Sequence, residues 1–227
     1  SAAGPVGGAQ LVLRAQRDLA EGDPVRISYV PEYLPTWRRR GLLQAGYGFL
    51  CGCDRCRWEP EAACAYLCPR CGDGPCSPSA QVAAAGELRG HSLGCEACGA
   101  VTTEEECLEE RSAAELSEVV SAESMRVLHP FHHKVVGMYL GRLKDLPAAA
   151  RVQIAEQLME AQCRLSKSES HPLLGKLAEL AARAHLELGD AGAAAAGFRD
   201  AEALFALSHR GPPDLGHAER CGRQRVA

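Results

Sequence analysis

Residues 49–58 read FLCGCDRCRW and set three thiols, Cys51, Cys53 and Cys56, in a C-x-C-x-x-C spacing. One turn of chain can wrap three thiolates around a metal ion, but a closed tetrahedral zinc site takes four. The fourth donor must come from elsewhere. Cys64 is the nearest candidate in sequence, Cys76 and Cys107 are further off, and Cys163 and Cys221 sit in helical or tail sequence. A distant donor suits this spacing better than a local one. A second constellation is complete in itself. Cys68-Pro-Arg-Cys71-Gly and Cys95-Glu-Ala-Cys98-Gly are two C-x-x-C-G knuckles with the spacing of a four-cysteine zinc ribbon. In such a knuckle glycine relieves a positive-φ position while amide N–H groups point at sulfur. The role expected of this second site is structural.

Composition agrees with metal rather than disulfides. Of the 12 cysteines in 227 residues, ten fall between Cys51 and Cys107. The opening stretch SAAGPVGGAQ has neither the charged nor the apolar part of a secretory leader, so the thiols are expected reduced and metal-bound. No run of 18 apolar residues is present, so no membrane-spanning helix is expected. A net charge of −4 and a ribbon segment with few basic residues make direct nucleic-acid binding a poor fit.

The elements that must position these cysteines read as follows. Residues 11–15 and 25–30 have the pattern of two short strands around a turn, with Ile27 and Tyr29 on one face. A short helix runs from a cap at Thr36 to about Gly46, with Arg38, Arg39 and Arg40 as its solvated face. Residues 51–107 look too irregular for a hydrophobic core and need metal to fold. From about Thr102 the sequence turns helical: TTEEECLEERSAAELSEVV opens like a capping box, and helical period continues to about residue 209. His129-Pro130 and His171-Pro172 each open a helix, followed by a loop ending in Asp and an Ala-rich second helix, and a GPPDLGH run follows. Stacked helix hairpins of the tetratricopeptide type are written this way, with a plain bundle as the alternative. In the second hairpin Leu177, Leu180, Ala184 and Leu188 are expected to face Ala196, Phe198 or Phe205. His132 and His133 read as surface or packing residues. The fold class is therefore mostly α with a small β and zinc part.

The stretch LVLRAQRDLAEGDPVRISYVPEYLPTWRRRGLLQAGYGFLCGCDRC resembles the end of a SET domain with its post-SET cysteines. It is most similar to the SET- and MYND-domain protein-lysine methyltransferases. Their pattern of R-A-x-R-D/N-I, G-E/D-x-[VI]-x-I-S-Y, P-T-x-x-R-R-x-x-L, Y-x-F and C-x-C-x-x-C is met in order, with Leu19 in place of the first motif's Ile. The ribbon and the His-Pro helix pairs resemble the C-terminal tail of the branch that also carries N-terminal tetratricopeptide repeats. The resemblance implies a division into the C-terminal part of a SET domain (1–50), a post-SET zinc motif (51–60), a zinc ribbon (61–103) and a helical-repeat domain (104–227). It also implies roles: Tyr29 at the methyl-transfer site, Tyr47 as a second lysine-channel tyrosine, and Phe49 packing on the adenine of S-adenosylmethionine. The family's N-H-S-C-x-P-N segment, whose cysteine gives the post-SET zinc its fourth ligand, is not among residues 1–227. The expectation is that it lies upstream, in a larger polypeptide.

On that resemblance the function expected is S-adenosylmethionine-dependent protein-lysine N-methylation, with zinc as a second cofactor and a protein lysine, histone or not, as substrate. This chain by itself is expected to be inactive. The alternative is a non-catalytic module in which ribbon and helical repeats bind a peptide or chaperone tail in a groove. The expected location is cytoplasmic and nuclear, away from membranes.

Overall fold

The computed structural model describes residues 15, 18–57, 60–78, 92–102, 124–166 and 168–209. Helix α1 spans Thr36–Tyr47. Its N-cap position is Pro35, so Thr36 lies inside the helix and is not the cap. The orphan Thr36 N–H donates instead to Glu61 Oε2 at 2.8 Å. Residues 25–30 form no strand, and Val25 and Ile27 are exposed. A strand needs a ladder partner, and residues 11–14 of the expected one lie outside the described residues.

Beyond α1, two 3-10 turns (Asp54–Arg57 and Ala62–Cys64) lead into the cysteine-rich segment. Strand β1 (Tyr66–Leu67) pairs antiparallel with β2 (Pro75–Cys76), and β3 (Leu93–Gly94) with β4 (Val101–Thr102). A backbone β-bridge between Cys76 and Cys95, whose thiols are free, and a 3.0 Å hydrogen bond from Glu96 N–H to Pro75 O join the two hairpins. Residues 127–129 then run beside β1. Tyr66 bridges Leu128, Leu67 N–H donates to Val127 O at 2.8 Å, and His129 N–H to Ala65 O at 3.1 Å. The segment expected to lack a core therefore has one. Tyr66, Cys68, Cys76, Leu93 and Cys95 pack against Leu128 and Val135, which the helical part supplies. Two-residue strands cannot enclose such a cluster alone.

The rest is helical: α2 (His133–Arg142), α3 (Ala148–Ser166), α4 (Pro172–Glu187) and α5 (Ala191–His209). The helix expected over 103–123 and the GPPDLGH run lie outside the described residues, and Thr102 itself belongs to β4. Among the described residues no helix is long and apolar enough to cross a membrane. Histidine caps α2 and α4, while Asp190 Oδ1 accepts from Ala193 N–H at the start of α5. His171 Nδ1 accepts from Leu173 N–H (3.1 Å) and His132 Nδ1 from Lys134 N–H (3.2 Å), the part usually played by Ser, Asp or Asn. His129 Nδ1 makes the same contact to Phe131 N–H at 3.2 Å, one turn ahead of α2. Pro172 fits the first turn of α4 because it has no N–H to leave unpaired.

Helix α4 buries two faces of different texture. Toward α5 it is small. A Cβ on Gly197 would lie 3.0 Å from Ala182 Cβ, and one on Gly175 would lie 2.9 Å from the Phe205 ring, while Ala182, Ala194 and Phe198 form one cluster. Leu177 and Leu180 point the other way, joining Leu158 and Leu165 of α3 and Phe131. Leu188, beyond the helix end, is exposed. The expected facing of Leu177, Leu180 and Leu188 onto α5 is thus corrected. Leucines and small residues occupy separate stripes of one helix, each turned to a different neighbour.

Glu61 fixes α1 to this body. Its carboxylate, 1% exposed, accepts from Thr36 N–H, from Arg55 Nη2 at 3.0 Å and from Ala63 N–H at 3.3 Å. Burial opposes its charge, yet the Arg55 guanidinium and the Thr36 amide outweigh that and hold the carboxyl below its ordinary 4.5. A depressed folded pKa gives stability that is present above the unfolded value and lost as pH falls through the folded one. Glu61→Gln should therefore cost about 3–5 kcal/mol at neutral pH by removing the carboxylate from the buried Arg55 guanidinium and the Thr36 amide. The deficit should begin to shrink below about pH 4.5, where the unfolded chain takes up the proton, and close as pH falls through the lower folded value, as denaturant titrations at several pH values would show. In the same assay Phe198→Ala should cost roughly 3–5 kcal/mol, whereas Leu188→Ala should stay within about 0.5 kcal/mol.

Candidate metal centres and an aromatic cluster

The Sγ atoms of Cys68, Cys71, Cys95 and Cys98 all lie within 4.8 Å of one another. Two of the separations, Cys68–Cys98 and Cys71–Cys95, are 3.8 Å. Thiolates about 2.3 Å from a tetrahedral ion stand about 3.8 Å apart, so the donor set fits zinc in type, number and spacing. Each knuckle is built as its sequence requires. Gly72 and Gly99 adopt φ of 76° and 70°, and Arg70 N–H and Cys98 N–H reach the Cys68 and Cys95 sulfurs at 3.4 Å. Gly74 N–H donates to Cys71 Sγ at 3.3 Å. Side chains are excluded at Gly74, since a Cβ there would come within 2.5 Å of Cys95 Sγ. Cys68 and Cys95 are buried in the ribbon core, whereas Cys71 and Cys98 face outward. Burial opposes a charge on Cys68, but the Cys71 and Arg70 amides prevail and bring its thiol down to about 6.

Cys51, Cys53 and Cys56 form the second set, their sulfurs again within 4.8 Å of one another. Burial pushes the Cys56 thiol up to about 12, and its like-charged neighbours add to this. Cys53, also opposed by burial, is held below its ordinary value by the Cys56 amide and the adjoining thiols. Sulfurs this close share protons unless a cation replaces them. Among the described residues no fourth Cys, His, Asp or Glu joins the set. Cys64 and Cys76 are buried apart from it, Cys163 lies on α3, and Cys107 and Cys221 are outside the described residues.

The loop carrying this set hangs on α1. Arg40 donates through Nε to Cys51 O at 3.1 Å and through Nη2 to Cys56 O at 3.2 Å. Arg39 is 5% exposed. Of the three arginines expected to form a solvated face only Arg38 does, because the helix packs this face on the cysteine loop. At the other end of α1, Gly48 turns left-handed with φ 74°, its N–H closing on Gln44 O at 3.1 Å. That reversal places Tyr47 and Phe49 around Tyr29. Ring centroids lie 4.8 Å from Tyr29 to Tyr47 and 6.0 Å from Tyr29 to Phe49, the latter edge-on. All three rings are exposed, Tyr29 by 50%.

The ten candidate residues thus collect into three groups: four cysteines, three cysteines and three aromatics. Sequence reasoning missed the residues that hold them. Glu61, Arg55, Arg39 and Gly74 belong to no recognisable spacing, although a Glu next to the Ala-rich run AACAYLC hints at a buried cap. No model of a known protein family matches the chain.

If the four-cysteine set holds zinc, Cys71→Ser should lower bound metal by one equivalent and unfold the ribbon, since metal supplies most of the folding energy of so small a unit, of order 10 kcal/mol. Atomic absorption together with proteolysis across residues 60–107 checks both. Unchanged stoichiometry would count against the site.

Proposed function

We propose that the chain is the distal part of an S-adenosylmethionine-dependent protein-lysine N-methyltransferase of the SET and MYND type, with a zinc ribbon and a tetratricopeptide-like tail. The observation that carries this reading is the joining of Tyr29, Tyr47 and Phe49, distant in role but adjacent in space, into one exposed aromatic cluster beside Cys51. Bound S-adenosylmethionine would supply an electrophilic sulfonium methyl group. The chain's own residues would handle the amine. The Tyr29 and Tyr47 rings strip water from a lysine side chain, which favours loss of its ammonium proton, and their hydroxyls orient the lone pair. Phe49, 39% exposed, has an open ring surface for adenine.

Phe49 alone cannot hold the cofactor. An aromatic contact adds about 0.5–1.5 kcal/mol beyond area burial, and micromolar affinity needs about 8 kcal/mol. Residues 1–227 by themselves should give no heat on titration with S-adenosylmethionine. Joined to a segment carrying the N-H-S-C-x-P-N pattern, the chain should transfer labelled methyl groups to lysine peptides. In that polypeptide Tyr29→Phe should lower kcat about 10²-fold or more, the scale of losing one preorganised hydroxyl, with zinc content unchanged. Equal turnover by the variant would reject the role given to Tyr29.

One observation favours the second reading, a peptide-binding module. A groove of about 850 Å³ lies between the ribbon and α3, lined by Asp73, Glu96, His129, Gln157, Glu160 and Arg164 among others. Pro75, Ala97, Pro130, Phe131 and Leu165 line it beside these polar groups, a mixture that can take both the side chains and the backbone of a peptide.

A further inference from the structure

The groove between the ribbon and α3 carries charges that the fold matches only in part. Both of its arginines are already paired: Arg55 with the buried Glu61, and Arg164 with Glu96 of the second knuckle. His129 adds no charge while its Nδ1 accepts from Phe131 N–H and its Nε2 donates to Asp73 O. On an isolated helix Glu160 and Arg164, four residues apart, would pair with each other. Here Arg164 reaches across to the ribbon instead, and Glu160 is left without a cation. Asp73, on the ribbon wall, is in the same state. Among the described residues neither carboxylate has an ion-pair partner, and both residues are exposed. Beside them Pro75, Ala97 and Pro130 offer apolar surface, along which the methylene stem of a lysine or arginine can lie with its head on a carboxylate. Gln157 Nε2, enclosed at the α3 wall, has no acceptor among the described residues. An unmade buried donor is costly, and a ligand carbonyl would satisfy it.

We propose that this groove takes a cationic peptide segment, its lysine or arginine side chains set against Asp73 and Glu160 and a backbone carbonyl meeting Gln157. The inference rests on the reading of the groove as a peptide site and names the class of peptide; it does not depend on methyl transfer. An acidic tail would bring like charges together and is selected against.

The test uses the full zinc-loaded chain and three fluorescent octapeptides that differ only at alternate positions, which carry Lys, Gln or Glu. Anisotropy at low salt should rank them Lys, then Gln, then Glu, and the Lys advantage should fade as salt rises. Glu160→Gln and Asp73→Asn should each weaken the Lys peptide about 2–5-fold, the scale of one exposed charge pair, and leave the Gln peptide unchanged. Asp200→Asn on α5 removes the same charge outside the groove and should match wild type. Asp73 lies in the first knuckle, so if Asp73→Asn loses zinc the exposed Glu160→Gln decides alone. Equal binding of the Lys and Gln peptides, a preference for the Glu peptide, or unchanged Lys affinity in Glu160→Gln would overturn the proposal while leaving a peptide site. An equal loss in Asp200→Asn would overturn it too, by tracing the effect to net charge. A chain that binds none of the three would overturn both readings.

Discussion

Glu61 carries its carboxylate where water does not reach, and donors from three parts of the chain converge on it: the first amide of α1, the Arg55 guanidinium in the cysteine loop, and Ala63 at the entrance to the ribbon. Its own N–H donates to Pro78 O at 2.7 Å, on the far side of β2. Apolar packing between α1 and the body is sparse, for the helix buries only Thr36, Arg39 and Leu43. A helix with so little apolar contact needs another tether. The buried ion pair is a strong one only as long as it is complete, since removing either partner strands the other.

The same economy governs the cysteine segment. Strands of two residues bury too little to stand alone, and three devices offset this. Residues 127–129 extend β1 and bring Leu128 and Val135 into a shared cluster. The four sulfurs stand at the spacing a tetrahedral ion imposes. His129, buried under the ribbon, donates from Nε2 to Asp73 O at 3.1 Å while its Nδ1 accepts from Phe131 N–H. That arrangement fixes one neutral tautomer, in keeping with burial holding its pKa below the ordinary value. Ribbon and helices therefore share core residues and a buried histidine.

Much of this was legible because it is local. Cysteine spacing states which sulfurs can meet, and a glycine after each C-x-x-C states how the chain turns there. The helices α2 to α5 follow from periodicity and punctuation, although α2 opens at His133 and not at His129-Pro130. What escaped was anything decided by a second element. RRR has no periodic signature separating an exposed arginine from a buried one; Arg39 goes inside because residues 51–56 fold against its side of α1. The strand expected over 25–30 depends on pairing, which no single segment encodes. Leu177 was assigned to the wrong neighbour because hydrophobic period identifies a buried face without saying which helix covers it. Imidazole caps were missed for a simpler reason: the sequence signal of an N-cap is Ser, Thr, Asp or Asn.

The three-cysteine set and the aromatic cluster lie at the two ends of one short stretch of chain. Phe49 is two residues from Cys51, and Tyr47 closes the helix whose Arg40 grips the carbonyls of Cys51 and Cys56. Tyr29 lies against these two rings, on a stretch that forms no strand. The geometry of the three rings is therefore set mainly by α1 and its Gly48 turn. Helix α1 in turn is set at one end by Glu61 and along its side by the cysteine loop. The three-cysteine set and the exposed aromatic cluster are thus joined through α1, whose Arg40 holds the Cys51 and Cys56 carbonyls.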